Sequence, residues 1–299
     1  SPTQLAIIEE LMLHLYPIAH IRLEVHDPIP WSDSPTWTGN FDFGDLNEYL
    51  SDLRVAENAP DDSYYYGLVQ PDDSFSEYCG GSCVTGQSYV VSSPGNADWR
   101  AGSGLGFSGE RWAWTLAHEV GHAHGRSHAP CDVSSYDPNY PYSGGSIGVY
   151  AIDMRPDPMI LLSPQTFTDM MGYCDDRWIS DYTYLALWDR MIAVNALGPP
   201  PPAPAPTPAT PRAAPQPHRF LRVAPGGDLR WGRRVRLRTA DQADAARLLV
   251  FRDAAGRVVS RRYAPWLAHS HGGASLAVAE PLPATATTVE LDGRRLALP

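Results

Sequence analysis

The sequence predicts an α+β domain over residues 1–197, a proline-rich spacer over 198–217 and a small all-β, sandwich-like domain over 218–299. Three observations carry that division. Helix-spaced apolar residues and β-rich runs succeed one another through the first segment, whereas the last segment shows only short alternating runs. Residues 198–217 hold ten prolines in twenty positions, which neither a helix interior nor a central strand sustains, so this stretch is an extended, semi-rigid connector. Charge changes sign at the same place: residues 1–197 carry 27 acidic side chains against 8 arginines, and residues 198–299 carry 7 against 15.

The elements follow in order. Gln4–His14 carries an apolar stripe that suits a helix or an extended chain, and Ile18–Val25 alternates like a strand. Leu46–Glu57 sets Leu46, Tyr49, Leu50 and Leu53 at helical spacing. Tyr64–Val69 and Ser88–Val91 are rich in β-formers, and Glu110–His124 is helical again. Pro130–Ser163 is irregular and contains the aromatic, glycine-rich Tyr140–Gly145, after which Trp178–Val194 returns to helical periodicity. Beyond the spacer, Arg234–Arg238 and Leu248–Phe251 alternate, and Asp253-Ala254-Ala255-Gly256 makes a hairpin turn before Arg257-Val258-Val259. With 43% hydrophobic and 10% aromatic residues, 299 residues suffice for a sizeable core.

Residues 118–128 read His-Glu-Val-Gly-His-Ala-His-Gly-Arg-Ser-His. Side chains four apart on a helix lie on one face, so His118 and His122 present two imidazoles to one ion. Glu119 leans toward the same ion without having to bind it. A third ligand needs the chain to turn; Gly125 tolerates the left-handed conformation that ends a helix, and His128 then returns. Three neutral imidazoles leave a fourth tetrahedral position for water, the mark of a catalytic zinc site, and zinc lowers the pKa of such a water to roughly 7. Glu119 is the base placed to take its proton and hand it to a leaving amine. His124 sits on another face of the helix and is given no part.

The spacing His-Glu-x-x-His-x-x-Gly-x-x-His resembles that of the metzincin zinc peptidases and meets all five fixed positions. The resemblance covers about two thirds of the chain, with its strong motifs between residues 118 and 174. It implies a twisted mixed sheet, a zinc-binding helix and a Met-turn, which Asp169-Met170-Met171-Gly172-Tyr173-Cys174 supplies. By that resemblance Met171 lies beneath the histidines and Tyr173 reaches toward the zinc or a developing oxyanion; the competing reading of Tyr173 is a packed aromatic with a satisfied hydroxyl. Met170 competes for the turn position but lacks a tyrosine two residues on. The resemblance also sets the segments after His128 and Met171 together beneath the metal, which implies a Cys131–Cys174 bridge and leaves Cys79–Cys83 to close a small loop. It implies further that the strand before the zinc helix, here Val84–Val91, is the upper rim of a cleft where substrate adds as a strand, and that Tyr140–Gly145 shapes the primed side. Ala129-Pro130-Cys131, Met171–Cys174 and Trp178–Tyr182 look like a bacterial secreted branch near the mucin- and glycoprotein-cleaving enzymes.

Four cysteines, paired, imply an oxidising compartment and a secreted, extracellular protein. The chain starts at Ser1-Pro2-Thr3 without a signal-like segment, so a leader and any pro-segment are read as absent from it. No run approaches the roughly 20 apolar residues that span a bilayer. One zinc ion is expected; no motif indicates calcium. The expected partners are a protein or glycoprotein substrate and, through the basic C-terminal half, either the acidic half of the chain or an anionic glycan or cell surface. Nucleic acid is not expected, since no binding motif is present, and the chain is read as a monomer. His269 and His271 flank a serine with no recognisable partners. Three functions are carried forward: a secreted zinc endopeptidase, a zinc amidase acting on a small-molecule or cell-wall substrate, and a surface- or glycan-binding protein with a vestigial peptidase domain. A narrow, closed cleft favours the second and an open cleft with a free edge strand the first, while the intact Glu119 counts against the third.

Overall fold

The computed structural model describes residues 1–32, 41–197, 213–238 and 245–299, so most of the expected spacer lies outside the described residues. The described chain is a mixed α+β structure. Helix α1 (Pro2–Leu15) starts where the Ser1 hydroxyl accepts from the Gln4 amide with proline in the first turn, and it buries Ile8, Leu11, Met12 and Leu15. Of the two options for this stretch, the helix is realised. Ile18–Val25 is not a strand: it has no regular structure and Val25 is 72% exposed. Alternation makes a strand only where a neighbour completes the ladder, and no described strand lies beside this run.

Helix α2 (Phe43–Ala56), capped by Asp42, is followed by β1 (Tyr65–Val69), the single-turn α3 (Phe75–Tyr78), β2 (Gly86–Ser88) and β3 (Ala101–Leu105). The three strands form a sheet in the order β1-β3-β2, with β1 parallel and β2 antiparallel to β3. Helix α4 (Glu110–Ala123) crosses this sheet. Beyond it come a hairpin of β4 (Ala151–Asp153) and β5 (Ile160–Leu162), a short parallel pair of β6 (Thr168–Asp169) and β7 (Arg177–Trp178), and α5 (Asp181–Leu197). Leu11, Leu15, Ala117, Val120, Met171 and Leu187 share the core that ties α1, α4 and the segments after it together. No helix of the described residues is long and apolar enough to cross a membrane.

The C-terminal part contributes β8 (Gln216–Val223), β9 (Leu229–Leu237), β10 (Ala246–Arg252), β11 (Val258–Ala268), β12 (Ala274–Ala279), β13 (Thr288–Leu291) and β14 (Arg294–Ala297). The expected sandwich is one curled antiparallel sheet in the order β14-β13-β10-β11-β12-β8-β9. The reason is the length of β11, whose first part pairs with β10 and whose last three residues pair with β12, so both halves share a strand. The alternation along each strand then separates two faces. Leu221, Leu249, Phe251, Leu276 and Val289 fill the curl, while Phe220, Val235, Leu237, Leu267 and Ala277 pack against Tyr89, Val91 and Trp99 of the preceding part.

Charge complementarity joins the two parts. Arg222 on β8 is buried among three carboxylates at the start of α2: it donates through Nη1 to Asp42, through Nη2 to Asp45 at 2.8 Å and through Nε to Glu48 at 2.5 Å. Burial alone disfavours its charge, and Glu48, Asp42 and Asp45 more than restore it. Around it, the Arg233 amide donates to Glu48, the Arg236 amide to Asp52 and Arg238 to Asp98, and Arg230 pairs with Asp42. These arginines of β8, β9 and the residue after β9 meet the acidic half of the same chain, one of the two uses read from the charge switch. Removing one partner of a buried ion pair leaves the other charge stranded, typically at about 3–5 kcal/mol. Arg222→Ala is therefore expected to lower the stability of the full chain by about that much, measured by urea unfolding; a loss under about 1 kcal/mol, the scale of an exposed pair, would show that the network does not hold the two parts together.

Candidate metal centre

Helix α4 ends where the chain must reverse. Gly125 has φ +85°, and a Cβ there would meet the Val91 carbonyl at 2.7 Å, so only glycine fits both the conformation and the space. The reversal brings His128 back over the helix. The Nε2 atoms of His118 and His128 lie 3.0 and 3.2 Å from Nε2 of His122, and all three rings are buried. The other nitrogens of the two helix histidines are committed: His118 Nδ1–H donates to the Met170 carbonyl at 2.8 Å and His122 Nδ1–H to that of Arg126 at 2.6 Å. These bonds leave the Nε2 lone pairs facing inward, as in histidines that hold a metal. Three lone pairs at this separation repel unless a cation lies between them, so the group can bind a metal ion. Burial lowers the pKa of each ring, His128 down to about 3, which keeps them neutral and able to ligate.

The floor of the site is the turn at Asp169–Tyr173. Met171 packs under α4 against Gly121, where a Cβ would come within 2.5 Å of its sulfur, so glycine at 121 admits the methionine. Met170 contributes its carbonyl, the acceptor that orients His118. The Ala129 amide donates to the Met171 carbonyl at 3.1 Å, the Tyr173 amide donates to the Cys131 carbonyl at 2.9 Å, and the Cys131–Cys174 disulfide closes the pair of segments. Cys79 and Cys83 form the second bridge. Asp169 is a residue that sequence reasoning missed. Fully buried, it accepts from the amides of Met171 at 2.7 Å and Ser180 at 2.9 Å and thereby pins the turn to the start of α5; its place just before the Met-Met-Gly run was the available signal.

Glu119 and Tyr173 flank the three histidines. The Tyr173 hydroxyl lies 3.0 Å from His128 Nε2, and its pKa is raised by burial and then by the Glu119 charge, so it stays protonated and able to donate. Glu119 is 2% exposed because the C-terminal sheet covers it. The turn from β11 to β12, His269–Gly273, reaches the site: Ser270 Oγ donates to Glu119 Oε2 at 3.2 Å, His271 Nε2 lies 3.6 Å from Glu119 Oε1, and His271 Nδ1 is 2.9 Å from the Tyr173 hydroxyl. The two histidines without evident partners in the sequence thus have them here, since His269 Nε2 also meets Ser275 Oγ at 3.0 Å. His124 stays apart, stacked on Tyr64 at 4.2 Å with its Nδ1–H on the Val120 carbonyl.

The rim strand is shorter than the expected 84–91, and its outer edge is partly taken. The Val90 amide donates to the Ala268 carbonyl and the Ser270 amide to the Ser88 carbonyl, both at 3.0 Å, so the chain's own turn lies where an added strand would pair. On the other side a surface groove of about 650 Å³ runs between Pro130, Asp132, Tyr136, Tyr140 and Tyr142, next to the segment that follows His128. Comparison with known proteins finds no family model, curated protein or solved structure that matches the chain.

Acid sensitivity follows from these environments. Burial pushes His124 down to about 4, so the folded chain refuses a proton that the unfolded chain takes near pH 6.5. A depressed histidine contributes stability that is whole above the unfolded pKa and is lost as pH falls toward the folded one. In metal-free protein the urea midpoint is expected to fall from pH 6.5 toward pH 4, and to fall less steeply in His124→Gln; a flat midpoint across that window contradicts the assignment. Replacing both Cys131 and Cys174 by serine is expected to cost about 2–4 kcal/mol of stability and to weaken metal retention with it, read by metal analysis after dialysis.

Proposed function

We propose that the chain is a zinc-dependent hydrolase of amide bonds of the metzincin type, acting on extracellular proteins, with glycoproteins as the class the resemblance favours. The observation that carries this reading is the convergence of three Nε2 atoms on one point, with the Glu119 charge close enough to act on His118. The donor set fits zinc: three neutral imidazole nitrogens, two of the rings held by backbone carbonyls, which would leave a fourth tetrahedral position to water or substrate. When bound, the ion supplies Lewis-acid polarisation of the carbonyl and acidifies a water molecule.

The chain's own residues perform the rest. Glu119 is the base that takes the water proton and returns it to the leaving nitrogen. Its Oε2 is held by Ser270, which fixes the orientation of the carboxylate. Tyr173 places a protonated hydroxyl between His128 and His271, 3.0 Å from Nε2 of the one and 2.9 Å from Nδ1 of the other, and so positions the second ring beside Glu119. Met171, Asp169 and the Cys131–Cys174 bridge keep the histidines at their spacing. Two disulfides and the secreted resemblance support an extracellular setting.

A second reading, an amidase acting on a small or cell-wall substrate, is favoured by one observation. The pairing of Ser88 and Val90 with the β11–β12 turn narrows the approach that a long added strand would use. Both readings share the chemistry, and the substrate separates them. Zinc-loaded full-length protein is expected to cleave members of a mixed peptide library, with cleavage abolished by a chelator and restored by zinc. Cleavage of small N-acyl amides alone would select the second reading. Glu119→Gln is expected to keep its zinc and its unfolding midpoint while losing at least about 10²-fold in kcat, the scale of a positioned general base; full turnover in that variant removes Glu119 from the reaction.

A further inference from the structure

His271 lies 143 residues beyond the last of the three clustered histidines, on a turn of the C-terminal sheet, yet its ring is part of the site. The turn is built to hold it there. Gly272 and Gly273 adopt φ +82° and +75°, and a Cβ at Gly273 would meet the Val223 carbonyl at 2.4 Å, so the reversal after His271 takes glycine. The Ser270 amide donates to Ser88 and the Ser88 amide donates to Ser270 Oγ at 3.2 Å, which clamps the turn to β2 from both directions. Behind it, His269 meets Ser275, and Ser275 donates to Glu48 at 3.4 Å, the carboxylate that Arg222 also holds. The turn is therefore tied to the buried ion-pair network that docks the two parts.

The ring itself has one satisfied nitrogen and one waiting. Nδ1 faces the Tyr173 hydroxyl at 2.9 Å. Nε2 faces the Glu119 carboxylate across 3.6 Å, too far for a hydrogen bond, and is buried without a hydrogen-bond partner among the described residues. A carboxylate only accepts, so the proton belongs on Nε2, and Nδ1 is then the acceptor for Tyr173. A buried N–H with no acceptor is costly and calls for an explanation; here it faces the carboxylate of the base, on the side of the ring away from Tyr173.

Resting on the reading of the site as an amide hydrolase, we infer that His271 is a catalytic residue of that reaction, supplied by the C-terminal sheet: its Nε2–H donates to the carbonyl oxygen of the substrate and holds the charge that oxygen gains. Water adds to the carbonyl carbon, its proton passes to Glu119, and the π electrons of the C=O bond move to the oxygen at Nε2–H. The C–N bond then breaks as the carbonyl re-forms, and the proton on Glu119 goes to the departing nitrogen. Tyr173 keeps the ring in the donating tautomer, and Ser270 keeps Glu119 from rotating away.

The test compares zinc-loaded wild type with His271→Ala and His271→Gln in the full chain, using a peptide that the wild type cleaves and a phosphinic peptide that carries a tetrahedral anionic oxygen. His271→Ala is expected to lower kcat by about 10²–10³-fold with KM little changed, the scale of one lost oxyanion donor. It should weaken phosphinic-peptide binding by a comparable factor and leave zinc content and melting temperature near wild type. His271→Gln, which keeps an N–H donor, should recover part of both. In metal-free protein, nitrogen NMR of the imidazole is expected to place the His271 proton on Nε2, with Tyr173→Phe disturbing it. An unchanged kcat, a rise in activity that would make the turn a plug, or a proton on Nδ1 each overturns the inference. An inactive zinc-loaded wild type removes the hydrolase reading and the inference together, whereas an active wild type with an equally active His271→Ala removes the inference alone.

Discussion

The structure depends on one buried cation. Arg222 sits where three carboxylates of the α2 region converge, and without it that region would bring Asp42, Asp45 and Glu48 together in a low-dielectric pocket with no compensating charge. The arginine neutralises the cluster, fixes the register of β8 and β9 against α2, and sets the outer face of the sheet, with Phe220, Val235 and Leu267, on Tyr89, Val91 and Trp99. Everything the C-terminal part does near the histidines follows from that seating. The hydrophobic contact makes the docking cohesive; the ion pairs decide which surfaces meet and in what orientation.

The metal centre shows a different division of labour. The helical period of α4 places His118, Glu119 and His122 with no long-range help. The third histidine depends on a glycine reversal, and the orientation of the other two depends on carbonyls supplied from elsewhere, Met170 for His118 and Arg126 for His122. Neutral rings and committed Nδ1 atoms make the site ready for a cation, while the carboxylate beside them is shielded from water by a turn that comes from the far end of the chain.

Legibility in the sequence tracks the range of the interaction. The histidine run was readable because local periodicity alone puts its members together, and α2, α4 and β1 were readable for the same reason. The Cys131–Cys174 pairing came only through the family resemblance, which carried a spatial expectation that spacing does not contain. Ile18–Val25 misled because alternation marks a strand only when a ladder partner exists. His271 was invisible for a stronger reason: its partners, Glu119 and Tyr173, are joined to it only through a docked sheet, and no period or motif in the chain encodes that juxtaposition. The charge switch at residue 198 was the trace it left, since an arginine-rich half beside an acid-rich half foreshadows contact without naming the residues that meet.

The distance along the chain between the histidine run and the β11–β12 turn bears on the order in which the site is assembled. A polypeptide leaves the ribosome amino end first, so α4 and its glycine reversal are available to fold while the strands of the curled sheet are still unmade. During that interval Glu119 has neither Ser270 nor His271 above it, and the Asp42–Asp45–Glu48 cluster has no counter-charge. Strand β8 then brings in the arginine, and β11 and β12 set the turn over the carboxylate. The site is therefore complete only once the strands on both sides of the β11–β12 turn exist, which ties the maturity of the centre to the integrity of the C-terminal sheet.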